Sequence, residues 1–197
     1  TKLSTEKGYN EAVFSNGCQY YLNTYSNLTT PPVYTLCNAA GKTLQTVEDN
    51  GQLKEMLAAL PLKTPEIISV NTADGIQLNG WMVKPKNFDA SKKYPVLMYQ
   101  YGGPGYQMVF NSFDNGFMGG LIWEQRLAQK GYIVVCVDGR GTGGRGDEFK
   151  KCTYMKLGDL ESHDQVETAL WLSKRPYVDK SRIAIWGWSF GGFNTLM

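Results

Sequence analysis

Over residues 1–50 the apolar and aromatic positions fall into short runs at 11–15, 18–25, 33–37 and 43–47. Each run is rich in Tyr, Val or Thr, and turn-forming residues separate them at Ser15-Asn16-Gly17, at 27–32 and at 38–41. This pattern predicts four short antiparallel strands, about the content of one propeller blade. One small sheet cannot bury both of its faces. The segment is therefore expected either to end a longer β array or to pack on a neighbour.

The period then changes. Leu53, Met56, Leu57 and Leu60 recur at helical spacing over 52–60 and Pro61 ends the run, which predicts a helix after a boundary at 48–51. Strands are expected at 67–72 and 76–83, joined by Ala73-Asp74-Gly75 as a hairpin turn. Residues 95–101, 132–137 and 182–186 are nearly continuous apolar runs, as strands covered on both faces should be. Between them, 117–130 predicts a helix stopped by Gly131. A second helix is expected at 159–174, with Val166, Ala169, Leu170 and Leu172 as its apolar positions. A hairpin followed by alternating strands and helices implies an α/β fold with a doubly wound, mostly parallel sheet. Chemistry in such sheets sits beyond the carboxyl ends of the strands, here at 101–105, 138–144 and 187–192. The expected domains are 1–50 and 51–197.

Charge and composition remove several alternatives. Twenty basic and 18 acidic residues are scattered along the chain, which gives no electrostatic case for nucleic acid or an anionic membrane. No apolar run approaches the ~20 residues of a membrane helix, and the first residues have no signal-peptide pattern. The four cysteines lack metal-ligand spacing and there is one histidine, so no metal or other cofactor is expected. Cys136 lies in a buried strand pattern and is expected in the core. Cys18 and Cys37 could meet across a hairpin, a pairing left open because sequence does not set strand register.

Gly187-Trp188-Ser189-Phe190-Gly191-Gly192 follows the apolar run 182–186 and fits G-x-S-x-G. A serine on a sharp strand-to-helix turn projects its hydroxyl above the sheet. Glycines flank it because side chains there would strike the neighbouring strand or helix. The Phe190 N–H, at the start of the next helix, then faces the position where an oxyanion forms. Tyr99-Gln100-Tyr101-Gly102-Gly103-Pro104-Gly105 ends an earlier strand, where hydrolases place a second oxyanion donor. The Tyr101 hydroxyl could fill that role, and a plain strand-closing turn is the alternative. Residues 139–144 also read G-x-G-x-x-G after a strand, which raises a dinucleotide fingerprint. No amphipathic helix starts at Gly144, so the loop is expected instead to pack Arg140 and its turns against the site. His163 precedes Ser189 and lies mid-helix, whereas hydrolases of this kind run nucleophile, acid, histidine along the chain. It is expected to be structural or exposed.

Taken together, these motifs resemble the dipeptidyl peptidase IV branch of the prolyl oligopeptidase family of serine peptidases. The resemblance runs through 44–50, Lys92-Lys93-Tyr94-Pro95, Tyr101-Gly102-Gly103-Pro104, 138–143, 183–187 and the serine turn. It implies a partial α/β-hydrolase fold preceded by the end of a β-propeller. It makes Ser189 the nucleophile and Tyr101 an oxyanion-hole donor. It also gives Phe190 a second role, lining the pocket for a penultimate proline together with Trp188, which is expected to pack beneath the serine. The family usually has tyrosine where this chain has Phe190. The implied substrates are peptides with Pro or Ala second, cut by a homodimeric parent outside the cytoplasm. Other family peptidases, esterases or a non-catalytic interaction fragment are the alternatives. The family's catalytic aspartate and histidine lie beyond the serine turn, so the 197 residues alone are expected to be inactive. Asn27-Leu28-Thr29 fits a glycosylation acceptor in a eukaryotic secretory host.

Overall fold

The computed structural model describes residues 2–113 and 122–197. The chain divides into two compact units, one of Thr1–Thr64 with Phe110–Leu121, the other of Pro65–Val109 with Ile122–Met197.

In the first unit, β1 (Tyr9–Phe14), β2 (Tyr20–Asn27), β3 (Thr30–Asn38) and β4 (Thr43–Glu48) form an antiparallel meander in chain order. Strand β3 begins three residues earlier than its apolar run and so includes Pro31 and Pro32. Proline cannot donate to a ladder. Both prolines stand where the β2–β3 register slips between Tyr25 and Asn27 and beyond the last β4 partner, Glu48, so no donor is needed. The preceding turn is held by Asn27, whose Oδ1 accepts from the backbone N of Thr29 at 2.9 Å and of Thr30 at 2.8 Å. Its Nδ2 donates to the Tyr25 hydroxyl, so the carboxamide of the glycosylation signal is engaged in the turn. Cys37 is buried in β3 opposite Tyr21, while Cys18 lies exposed in a single 3-10 turn at Asn16–Cys18. Both thiols are free. Every residue of β4 is exposed, Val47 and Leu44 included, so this sheet covers little of its own apolar surface. Helix α1 (Gly51–Ala58) follows. It buries none of its residues, and Met56 and Leu60 of the expected apolar face are exposed.

The second unit is an α/β fold. Its strands are β5 (Glu66–Asn71), β6 (Gln77–Val83), β7 (Tyr94–Tyr99), β8 (Ile133–Asp138) and β9 (Val178–Trp186). Its helices are α2 (Ile122–Gln129), α3 (Asp147–Lys151), α4 (Asp159–Ser173) and α5 (Phe190–Leu196). The start of the expected helix 117–130 lies outside the described residues. The sheet runs β5-β6-β8-β7-β9. Strands β8, β7 and β9 are parallel, whereas the β5–β6 and β6–β8 pairs are antiparallel. The sheet is therefore mixed rather than mostly parallel, because the tight turn at Ala73-Asp74-Gly75 can only return β6 antiparallel to β5. The chain steps from β7 to β8 on one side, then back across β7 to β9. With right-handed crossovers, that reversal puts α2 and α4 on opposite faces. It also opens a crevice at the carboxyl ends of β7 and β9.

All six residues of β8 are buried, as its unbroken apolar run requires. Around it pack Val70, Leu78, Met82, Val96, Met98 and Leu172. Helix α4 departs from expectation: Val166 and Leu170 are exposed, and its buried face is Glu161, Asp164, Gln165, Thr168 and Leu172. Polar side chains can turn inward there because each makes at least one hydrogen bond, with Glu161 Oε1 and Gln165 Oε1 left without one. Gln165 Nε2 donates to the Val137 carbonyl at 3.1 Å, Thr168 Oγ1 to the Asp164 carbonyl at 2.8 Å, and Glu161 Oε2 accepts from the Gly158 N–H at 3.0 Å. Among the described residues no helix is long and apolar enough to cross a membrane.

Leu172 is wholly buried and Val166 is 58% exposed on the same helix. In urea denaturation, Leu172→Ala is expected to cost about 2–5 kcal/mol. Val166→Ala should stay within about 0.5 kcal/mol of the unmodified chain.

Candidate active site

Strand β9 ends at Trp186 and α5 begins at Phe190, so the chain turns from strand to helix in three residues. Ser189 sits in that turn at φ 54°, ψ −124°, a conformation that costs a non-glycine residue on the order of 1–3 kcal/mol. It is exposed, and its side chain makes no capping bond to the helix. The strain persists because the surroundings over-determine the turn. Trp186 pairs with Tyr99 in the parallel β7–β9 ladder, Gln100 N donates to the Trp186 carbonyl at 3.1 Å, and Phe193 N donates to the Ser189 carbonyl at 3.0 Å.

The flanking glycines are demanded by contact between backbones. A Cβ on Gly191 would lie 2.3 Å from the Gln100 carbonyl oxygen and 2.9 Å from Tyr101 Cα. One on Gly187 would lie 2.6 Å from that same Gln100 oxygen. The start of α5 thus rests directly on the end of β7, which places Tyr101 beside the serine turn.

The structure brings Tyr101 and Trp188 together, with ring centroids 6.2 Å apart, and Tyr106 also packs on Tyr101, its ring tilted by 56° at 4.8 Å. Trp188 is 55% exposed rather than packed beneath the serine. The floor is formed instead by Tyr99 and Trp186, stacked at 4.8 Å, with Trp123 edge-on to Trp186 at 4.9 Å. Burial pushes the Tyr99 hydroxyl up to about 12, against a hydrogen bond with Trp188 that favours its ionised form. Phe190 is half-buried and packs on Phe193 at 5.4 Å. Its N–H belongs to the first turn of α5, whose N–H groups have no carbonyl partner within the helix.

The second glycine loop, after β8, braces the Tyr101 segment through its backbone. Gly105 N donates to the Gly141 carbonyl at 2.8 Å and Gly143 N to the Tyr106 carbonyl at 3.3 Å. Its glycines serve these close approaches, and the helix that follows, α3, has five residues with Asp147 and Glu148 in its first turn, which repels phosphate. Arg140 does not reach the serine turn. Its Nη2 donates to Asp164 Oδ1 at 2.6 Å and its Nη1 to Asp74 Oδ2 at 2.8 Å, tying α4 to the β5–β6 turn. The fully buried Asp164 carboxylate raises the guanidinium pKa further. His163 joins this cluster with Nδ1 3.1 Å from Arg140 Nη2. A guanidinium only donates, so that nitrogen accepts. The histidine is exposed on α4, as expected.

Two residues escaped the sequence reading. Gln100, buried to 1% exposure, links β7 to α5 through its side chain. Asp138 Oδ2 accepts from Met108 N at 3.0 Å and Val109 N at 2.8 Å, fastening the far end of the Tyr101 segment. Position gave a faint signal for both: a polar side chain at the end of an apolar strand run.

An exposed, strained serine between two close-packed glycines, at the carboxyl end of a parallel strand in an α/β sheet, is the geometry of a nucleophile elbow. The comparisons with known proteins agree. Residues 121–197 match the model of the prolyl oligopeptidase family. Over 98% of its length the chain is 41% identical to the "Probable dipeptidyl-aminopeptidase B" of Aspergillus fumigatus, and over 99% it is 40% identical to the protein of that name from Arthroderma benhamiae. The crystal structure of Porphyromonas gingivalis dipeptidyl peptidase 4 covers the whole chain at 49% identity with a TM-score of 0.93. The chain spans 21% of the length of those fungal relatives and 27% of the P. gingivalis chain. The resemblance read from the motifs is borne out, and the chain is dipeptidyl peptidase IV-like.

Because the clashing atoms at Gly191 are backbone, Gly191→Ala is expected to destabilise by about 1–3 kcal/mol or more. Gly192→Ala, whose nearest neighbour is 3.3 Å away, should cost less. Urea midpoints of the two variants check this order.

Burial pushes the Asp138 carboxyl up to about 7, against the Val109 and Met108 N–H groups, which favour the ionised form. The unfolded chain releases the same proton near pH 3.9. Between about pH 4 and about pH 7 the folded state therefore holds a proton that the unfolded state has lost, and Asp138's contribution to stability falls as pH rises. The stability of the unmodified chain minus that of Asp138→Asn should decline across this window, by at most about 1.4 kcal/mol per pH unit, and level off above it. A flat or rising difference would refute the assignment.

Proposed function

We propose that this chain is part of a serine exopeptidase that releases X-Pro and X-Ala dipeptides from peptide amino termini, with Ser189 as its nucleophile. The observation that carries the reading is the exposed Ser189 at φ 54° between Gly187 and Gly191. The relatives' names support the release of dipeptides, and the preference for Pro or Ala as second residue is what the family resemblance implies. In the reaction, Ser189 Oγ attacks the scissile carbonyl carbon and gives up its proton to a base. The negative charge on the carbonyl oxygen is met by the Phe190 N–H and the Tyr101 hydroxyl. Collapse of the tetrahedral species expels the protonated amine and leaves an acyl group on Ser189, which water then removes. The Phe190 ring, and Trp188 on the same turn, offer the apolar surface a proline ring needs.

The base is the histidine of a triad completed outside these residues. The one histidine here, His163, has its Nδ1 engaged with Arg140, which supports inactivity of the 197 residues alone. Residues 1–50 are the end of a β-propeller and 51–197 the first part of an α/β-hydrolase domain. The exposure of the edge strands β1 and β4 supports the former and the strand order of the second sheet supports the latter. The parent protein works outside the cytoplasm as a homodimer, by analogy with the family.

Hydrolysis of Gly-Pro-nitroanilide tests this reading in the full-length protein and in the 197-residue chain, each with and without Ser189→Ala. The full-length protein should cleave. Ser189→Ala should lower its rate by about 10³-fold or more, and the shorter chain should be silent. A full-length protein that takes a fluorophosphonate on Ser189 yet ignores Gly-Pro and Gly-Ala substrates would keep the nucleophile and discard the specificity.

A further inference from the structure

We propose that Gln100 is a positioning residue that sets the separation of the two oxyanion donors, Tyr101 and Phe190. The inference rests on the roles given to Ser189, Tyr101 and Phe190 above. Gln100 closes β7 with its side chain buried to 1% exposure. Its Nε2 donates to the Gly191 carbonyl at 2.6 Å and to Thr195 Oγ1 at 3.1 Å, and its Oε1 accepts from Asn194 Nδ2 at 2.9 Å. All three partners lie on α5, the helix whose first residue is Phe190. The same residue's backbone carbonyl is the atom against which Gly187 and Gly191 pack. Its neighbour in sequence is Tyr101.

One residue therefore grips α5 through side chain and main chain at once, with one oxyanion donor attached next to it and the other at the start of the helix it grips. A methionine at position 100 would keep length and apolar bulk. It would take the side-chain acceptor from the Asn194 amide and one of two side-chain donors from the Gly191 carbonyl, which keeps Thr195 Oγ1 at 2.7 Å, and no side-chain hydrogen bond would then hold the end of β7 against α5. Stabilisation of an oxyanion depends on donors fixed at hydrogen-bond distance from where the charge will form. A shift of tenths of an ångström between Tyr101 and Phe190 would weaken the transition state while leaving substrate binding largely unchanged.

The test uses the full-length protein carrying Gln100→Met, Tyr101→Phe, or both, with active sites counted by fluorophosphonate labelling of Ser189. Per labelled site, Gln100→Met should lower kcat about 10-fold or more and leave KM within about threefold, since loss of a whole oxyanion donor costs ~10²–10³. In the Tyr101→Phe background the same substitution should cost less than about threefold, because its route of action is already gone. Equal losses in both backgrounds, or a loss only in the number of labelled sites, would overturn the positioning role and leave the function standing. Absence of labelling in the unmodified protein would overturn both. If Gln100→Met does not accumulate folded, Thr195→Val removes one of its partners at constant shape. It should reproduce the background-dependent loss at smaller size, and an additive loss there would overturn the proposal equally.

Discussion

Where β7 ends, its backbone lies against the turn that leaves β9 with no room for a side chain between them. The Gln100 carbonyl oxygen would sit within 2.6 Å of a Cβ on either Gly187 or Gly191. This contact between two main chains governs the rest of the site. It requires glycine on both sides of Ser189, it forces the serine into a conformation few residues adopt, and it carries Tyr101 to the turn's rim. The parallel β7–β9 ladder runs without a shift from Val96 to Tyr99 and holds the two strand ends in register against that strain.

Around the contact, polar groups do work that an apolar core could not. Gln100 and Asp138 each bind backbone groups of loops that would otherwise be free to drift, one at α5 and one at Met108 and Val109. Arg140 does the same for α4 and the β5–β6 turn through Asp164 and Asp74. Hydrogen bonds are directional where apolar packing is not, so a buried polar side chain with its partners satisfied fixes one geometry among several of similar packing. Each also desolvates groups that would leave a penalty if unpaired, which couples the loops to the stability of the sheet beneath them.

Much of this was legible in the residues. The strand runs at 67–72, 132–137 and 182–186, the Ala73-Asp74-Gly75 turn, the serine turn and the family resemblance all stand in the structure close to where pattern and motif put them. The misses share a cause. Val166 and Leu170 look like the inward face of α4 by periodicity, yet Glu161, Asp164 and Gln165 turn inward, because their partners come from Gly158, Arg140 and Val137 at positions no helical period reports. The prolines at 31 and 32 look like a turn, yet they sit in a strand because a slip in register removes the need for their missing donors.

Local chemistry, then, was decided by the sequence alone: which segments run as strand or helix, where the chain must turn sharply, and which serine stands on such a turn. These depend on the backbone preferences and spacing of neighbouring residues. Tertiary structure alone decided the pairing of β6 with β8, the polar face of α4, the exposure of Trp188 and the grip of Gln100 on α5. Each of these depends on residues dozens of positions apart meeting in space, and a hydrogen bond between such residues leaves no periodic trace along the chain.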